Sequence, residues 1–569
     1  MKRRIIFLFS LLLALALLFS ACGFLTLLPQ SQTPEEQEPD TPDDPETPEE
    51  PDDPWRFLDE ADEIAEDGGF YRAMTNDDRA DLNTIYQEKL LATRAFAEVP
   101  AAKGTTWYVS SLNGNDQNSG TSPAAAWKTT ANCASKVQEG DTILFECGSV
   151  FRRTKNDYFI RGLKNGVTLA TYGEGAKPIF YGSINVPAQK WIKVAGKPNL
   201  YYYDGSSLNL NIYSDVGAIV FNEGEAWGIK TLMLFNDPST KKDPAYKTLA
   251  LENVSNGLQT MDLPSYTFPN GTALQGDLSF YHDYNQKRVY LYCEGGNPGE
   301  RFSSVELSLN MFAFSMENPA ENMTFLNLDF RNFGSHVIRT LNCKDLIVKN
   351  CEFRFVGGTI QPSYGTWRNY YTRLGNAVEN WNACNGMLVE NCYFDQMYDT
   401  AMTTQSNDNV VSTRVIYRNN VAKNMWFGVE LWTTGNVEFN RVKVAGNYFC
   451  NIGEGFTSQR PDKDEYGYSI SAFIKVSGGP YYTGNSFSVT GNIADGTIGK
   501  MVFCNYPKTK TYPEGILFDG NTYIAGADVD FARFFGKTDG ITYPYTQTGV
   551  SSVWSYGIES HGKFYYIEN

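Results

Sequence analysis

Three segments of this chain carry carboxylates and indoles at matching places. Gly375–Trp381, Asp399–Gln405 and Trp426–Trp432 align so that Glu379, Thr403 and Glu430 form one column and Trp381, Gln405 and Trp432 the next. Side chains alternate along a strand, and burying two unpartnered carboxylates is costly. The phase is therefore set with Val378, Met402 and Val429 inside and the acids outside, above a floor of Ala377, Ala401 and Gly428. With Glu379 and Glu430 two strands apart, their backbones lie roughly 9–10 Å apart at about 4.8 Å per strand. Side-chain freedom brings such carboxyls into the range of about 6.5–9.5 Å used to invert a glycosidic bond, and indole faces suit pyranose rings. Asp399 starts the middle strand as a closer acidic partner, and His336 falls in the small-residue column one coil earlier as an acid/base helper.

Two inserted stretches supply walls to that surface. The one around Pro362–Arg373 offers Trp367 and Arg373, and the one around Gly453–Gly479 offers Gln459 and Arg460. Arg460 has two readings, a partner for a substrate carboxylate or for Asp462. Four of the ten tryptophans, Trp367, Trp381, Trp426 and Trp432, lie between residues 367 and 432, a concentration that marks them as substrate-binding candidates.

An internal repeat must position these residues. Seven segments superimpose, ending at Leu328, Cys351, Cys392, Asn420, Asn447, Asn492 and Asn521, with separations of 23, 41, 28, 27, 45 and 29 residues. Values of 23–29 fit one coil of a parallel β-helix, and 41 and 45 are coils with inserted loops. The column Asn420, Asn447, Asn492, Asn521 predicts an asparagine ladder satisfying buried turn backbone; Cys351 and Cys392 continue it, and Cys343 stacks over Cys384. The fold class expected is all-β: a right-handed parallel β-helix with an N-terminal cap, a β-rich insertion and a short N-terminal helical segment.

Residues 1–22 have a basic start, an apolar run and small residues before Cys22, an export signal. Residues 23–54 form an acidic proline-rich tether, extended and stiffened by like charge. Residues 55–104 are helical, with Asn76 as cap; 105–200 hold the cap and first coils, 201–300 an insertion without the coil period, 301–525 the core rungs and 526–569 a C-terminal segment. The formal charge of −17 sits mostly in residues 31–70, which hold 17 acids against one Arg, leaving about −4 for residues 71–569. The folded body has no basic stripe for nucleic acid, and no partner protein is implied. Only three histidines are present, so no histidine-built metal site is expected, and no cofactor is required.

The ending Phe19-Ser20-Ala21-Cys22 resembles a bacterial lipobox, which implies a lipid on Cys22 and an exported protein anchored to the membrane at the cell surface. The order of pieces after Thr106 resembles the N-terminal cap of the pectate-lyase-like superfamily. The stretch 106–525 resembles bacterial β-helix proteins related to plant-polysaccharide glycoside hydrolases, through Gly375–Trp381, Tyr398–Gln405, Glu430–Trp432 and Gln459–Asp462. The resemblance implies a polysaccharide partner and carries Glu379, Asp399 and Glu430 as acid candidates. Two alternatives stay open at this point: a polysaccharide lyase, which would bring in Ca²⁺, and a glycan-binding surface protein without catalysis.

Overall fold

The repeat closes in space as stacked coils. The computed structural model describes residues 53–568 apart from 154–156, 238–241, 248–264, 268–272, 362–365, 368–369, 372, 408, 434–437, 461–470, 478–480, 483–486, 505–515, 527 and 535–539. Only the backbone is described at 232–237, 242–247, 265–267, 273, 275, 366–367, 370–371, 481–482 and 516. The expected signal, Cys22 and most of the acidic tether lie outside the described residues.

Along the first face, Cys343–Lys349, Cys384–Glu390, Val411–Arg418, Glu438–Ala445, Phe487–Thr490 and Ile516–Asp519 pair in parallel succession. The seven repeat segments are in register: Thr324, Ile347, Leu388, Ile416, Lys443, Ser488 and Leu517 are successive neighbours. Two further parallel faces share the long strands Tyr393–Ser406 and Val421–Thr433, which turn the corner between them. Together they make a parallel β-helix, right-handed as parallel crossovers are.

The turn after each first-face strand explains the repeat chemistry. The residue before each ladder position is left-handed, with φ +50° at Asn350, +49° at Asn391, +55° at Asn419 and +63° at Gly446. Asn and Gly adopt that conformation most readily, which is why they alone occupy these places. The ladder itself runs Asn420 Nδ2 to Asn447 Oδ1 (2.9 Å), Asn447 Nδ2 to Asn492 Oδ1 (2.8 Å) and Asn492 Nδ2 to Asn521 Oδ1 (2.9 Å). It ends on a residue the repeat does not contain: Asn521 Nδ2 donates to the fully buried Glu559 at 2.7 Å. Inside the stack, Phe330, Phe353 and Phe394 stack in line, the last pair at 4.9 Å and 5°.

The coil is interrupted and resumes. Ile179–Tyr181 pairs with Asp329–Phe333, and Thr168 with Thr324. Between them lies a largely antiparallel block from Ser183–Asn185 to Val305–Leu309, wider than the stretch lacking the period. It has a core of its own around Trp191, Leu210, Phe280, Leu291 and Leu307.

The N-terminal segment is a strap rather than a free helix. From Trp55 it follows the first face, with Arg441 on Asp59 (2.5 Å), Ser488 on Asp62 (3.1 Å) and Lys563 on Asp67 (2.8 Å). Phe70–Ala73 then adds a parallel strand beside Lys563–Tyr566 at the last coil. The helix Asn76–Arg94 returns over the second face, burying Leu82 against Tyr448, Val421 and Ile493. Its cap is Thr75, one residue before the expected Asn76, because Thr75 and Asp78 close a reciprocal capping box.

Candidate active site

The column predicted for the acids exists, and it is longer than expected. Arg339, Glu379, Thr403, Glu430 and Lys475 are successive register neighbours on the third face. Cations at both ends explain how the acids tolerate burial. Glu379 is 3% exposed and Glu430 4%, so these are not solvated surface acids.

Glu379 Oε1 accepts from Arg339 Nε at 2.9 Å, and Oε2 accepts from Asn376 Nδ2 at 2.6 Å. Burial opposes ionisation here, but His336, Arg339 and the Asn376 amide outweigh it and hold the carboxyl below the usual glutamate range. Glu430 Oε1 meets Lys475 Nζ at 2.5 Å, while Oε2 accepts from Gln405 Nε2 (2.9 Å) and Thr400 Oγ1 (3.3 Å). Asp399 Oδ1 accepts from Arg460 Nη1 at 2.6 Å, and its side chain keeps 21% exposure. Trp381, Gln405 and Trp432 are also register neighbours. Both indoles are half-buried, and their ring centroids come within 6.0 Å at 31°.

Several expectations are corrected. Ala377 and Ala401 lie in the hydrophobic core, and a Cβ at Gly428 would sit 2.4 Å from the Phe449 ring. The small column therefore points inward where the chain turns between faces, and it is no groove floor. His336 aligns with Asn376, since Ile338 pairs with Val378. It is 5% exposed, its Nδ1 accepts the Asn376 N–H (3.0 Å), and burial pushes its pKa down. The same Nδ1 lies 3.2 Å from Glu379 Oε2, so the ring packs directly against the carboxylate.

Trp426 is fully buried against Phe427, Ala472 and Phe503, so it cannot face a ligand; its ring instead lies under Arg460 at 5.3 Å. Gln459 is also fully buried, accepting from the Lys230 N–H (3.0 Å) and donating to Gly228 O (3.3 Å), which ties its loop to the antiparallel block. Arg373 is 5% exposed, donates to Gly358 O (2.7 Å) and covers Tyr398 at 4.1 Å. Arg460 pairs with Asp399, while Asp462 and the side chain of Trp367 lie outside the described residues.

Arg339, Asn376, Thr400 and Lys475 were missed. Asn376 could have been found, three residues before Glu379 in the same motif. Arg339 and Lys475 become legible only through the register of a short strand and of the 45-residue coil.

No family model matches the chain. A stretch of 121 residues is 33% identical to the lacto-N-biosidase of Bifidobacterium longum subsp. longum, covering 18% of this chain and 7% of that protein, a small part of the relative's length. Among solved structures, a glycoside hydrolase overlaps 76% of this chain and 94% of its own at 10% identity and a TM-score of 0.41. A lacto-N-biosidase of glycoside hydrolase family 136 from Eubacterium ramulus overlaps 81% of this chain and 70% of its own at 12% identity and a TM-score of 0.32. Overlaps this loose add nothing to the fold, which rests on the strand register.

Proposed function

We propose that this chain is a glycoside hydrolase, exported and held at the cell surface by a lipid on Cys22, that cuts a polysaccharide along its third face. The observation that carries the reading is the column itself. Two buried carboxylates, Glu379 and Glu430, stand two rungs apart on one wall, each with its own cation, beside a half-buried indole pair. The local identity to a lacto-N-biosidase supports the same class. Substrates to test are plant-type polysaccharides, as the motifs suggest, together with lacto-N-biose-bearing glycans.

Glu379, kept ionised by its neighbours, is the base or nucleophile. As base it takes a proton from water while the water oxygen bonds the anomeric carbon and the glycosidic C–O bond breaks. The departing oxygen receives its proton from Glu430 or Asp399, which must first take one up from solvent and loosen from Lys475 or Arg460. The product discriminates between them: Glu430, two rungs away in the same column, leaves room for a water and gives inversion, whereas a retained product would point to Asp399, one rung away and level with Gly375.

Residues 55–569 are incubated with the glycan panel and new reducing ends are measured. The reading expects cleavage of at least one glycan, and a loss of roughly 10²–10⁴-fold for Glu379→Gln. Unchanged activity in both Glu379→Gln and Glu430→Gln would refute it. An unsaturated sugar end that disappears on chelation would mean a lyase, and binding lost in Trp381→Ala without any cleavage would mean a binding protein.

A further inference from the structure

The same wall continues beyond Glu379 toward the start of the stack, where a cavity of about 150 Å³ opens among Asp157, Tyr158, Arg161, Asn310, Met311 and Phe312. We propose that this cavity is a distal sugar subsite, taking one neutral pyranose of the chain whose scissile bond lies at Glu379; it rests on the hydrolase reading above.

Ring contacts connect the cavity to the carboxylate without a break. The Tyr158 and Phe312 centroids are 6.3 Å apart, Phe312 stacks on His336 at 5.6 Å and 28°, and His336 Nδ1 is 3.2 Å from Glu379 Oε2. Phe159 N–H donates to Ala313 O and Ala313 N–H to Val337 O, which places Tyr158, Phe312 and His336 on successive rungs. Tyr158 therefore stands three rungs from the rung that carries Glu379, about 14 Å along the stack at roughly 4.8 Å per rung.

The rings are not there to fill the core. Neither Tyr158 nor Phe312 belongs to the hydrophobic core of the stack, and both are half-buried beside open space. A pyranose offers an apolar C–H face and a rim of hydroxyls, and the cavity answers with aromatic faces edged by a carboxylate, a guanidinium and an amide. Its volume is below the roughly 300–1,000 Å³ that houses a drug-sized ligand, which is the scale of a single ring. Charge sets the class. Arg161 lies over Tyr158 at 4.9 Å and pairs with Asp157 at 2.6 Å, and Arg339 is paired with Glu379, so both guanidiniums already face carboxylates. A neutral sugar fits this balance better than a uronate.

The test uses the full chain with Tyr158→Ala and Tyr158→Phe, on the shortest oligosaccharide cut and on one three sugars longer of the same glycan. The expected result is kcat/KM within about twofold of the parent on the short substrate. On the long one, KM should rise about five- to tenfold in Tyr158→Ala with kcat nearly kept, and Tyr158→Phe should restore it. Equal losses at both lengths, or none at either, would overturn the subsite while leaving the hydrolase reading intact. Calorimetry with neutral xylo- and galacto-hexasaccharides on Glu379→Gln separates the remaining cases. Binding weakened by a further Tyr158→Ala, without cleavage in the parent, keeps the subsite and sinks the hydrolase; neither binding nor cleavage overturns both.

Discussion

Glu559 ends the asparagine ladder, and its proton should be measurable in the stability of the whole stack. Its side chain is fully buried, and among the described residues it bonds only donors: Asn521 Nδ2 (2.7 Å), Tyr523 Oη (2.7 Å) and Asn521 N–H (3.2 Å). Burial outweighs these donors and pushes the carboxyl from 4.5 up to about 7. Between those values the folded chain keeps a proton that the unfolded chain has released. Stability from this group is therefore fully present below pH 4.5 and falls as pH rises toward 7. At about 1.4 kcal/mol per pH unit, the interval amounts to a loss of about 3 kcal/mol. Glu559→Gln keeps the shape and cannot titrate, so whatever constant offset the amide introduces, this slope disappears. Urea unfolding of both proteins, followed by tryptophan fluorescence at several pH values from 4.5 to 7.5, gives the stability difference directly. That difference should shift in favour of the variant by about 3 kcal/mol across the range. A difference that stays flat, or moves the other way, would show that Glu559 is ionised in the fold and that the burial argument is wrong.

Three further outcomes are expected. Arg339→Met removes the cation bonded to Glu379 while leaving the carboxyl buried; its pKa rises, and the acid limb of the kcat/KM profile should move to higher pH, an unmoved limb counting against Glu379 as the working base. Trp426→Ala should cost about 3–5 kcal/mol in thermal or urea unfolding because the ring is fully buried, whereas Trp381→Ala, half-buried on the wall, should leave stability within about 1 kcal/mol and raise KM. Asn447→Ala breaks four side-chain hydrogen bonds in the ladder, so its urea midpoint should fall by the equivalent of about 3 kcal/mol with an unchanged slope; a cost under about 1 kcal/mol would mean the ladder is ornamental to folding.

The parts of this protein that repeat were legible in its sequence. Each coil contacts mainly its neighbours, so spacing alone aligned the segments ending at Asn420, Asn447, Asn492 and Asn521 and put Glu379 and Glu430 in one column, as the register bears out. The left-handed turn beside each rung restricted that place to Asn or Gly, leaving a local mark that needs no tertiary knowledge. Tertiary structure decided whatever depends on where the chain bends or on partners far away along it. Strict alternation fails at the corner between faces, and so Ala377, Ala401 and Gly428 turned inward and Trp426 into the interior. Within the antiparallel block Lys230 and His282 meet the buried Asp215, and the block docks on the stack where Asp215 accepts from the Ile360 N–H and Lys230 donates to Gly358 O. The same docking absorbs Gln459, which the motif alone had offered to a substrate. Glu559, Arg339, Lys475 and the N-terminal strap carry no repeat signature; their roles come from contacts across 38 to several hundred residues, which no local pattern encodes.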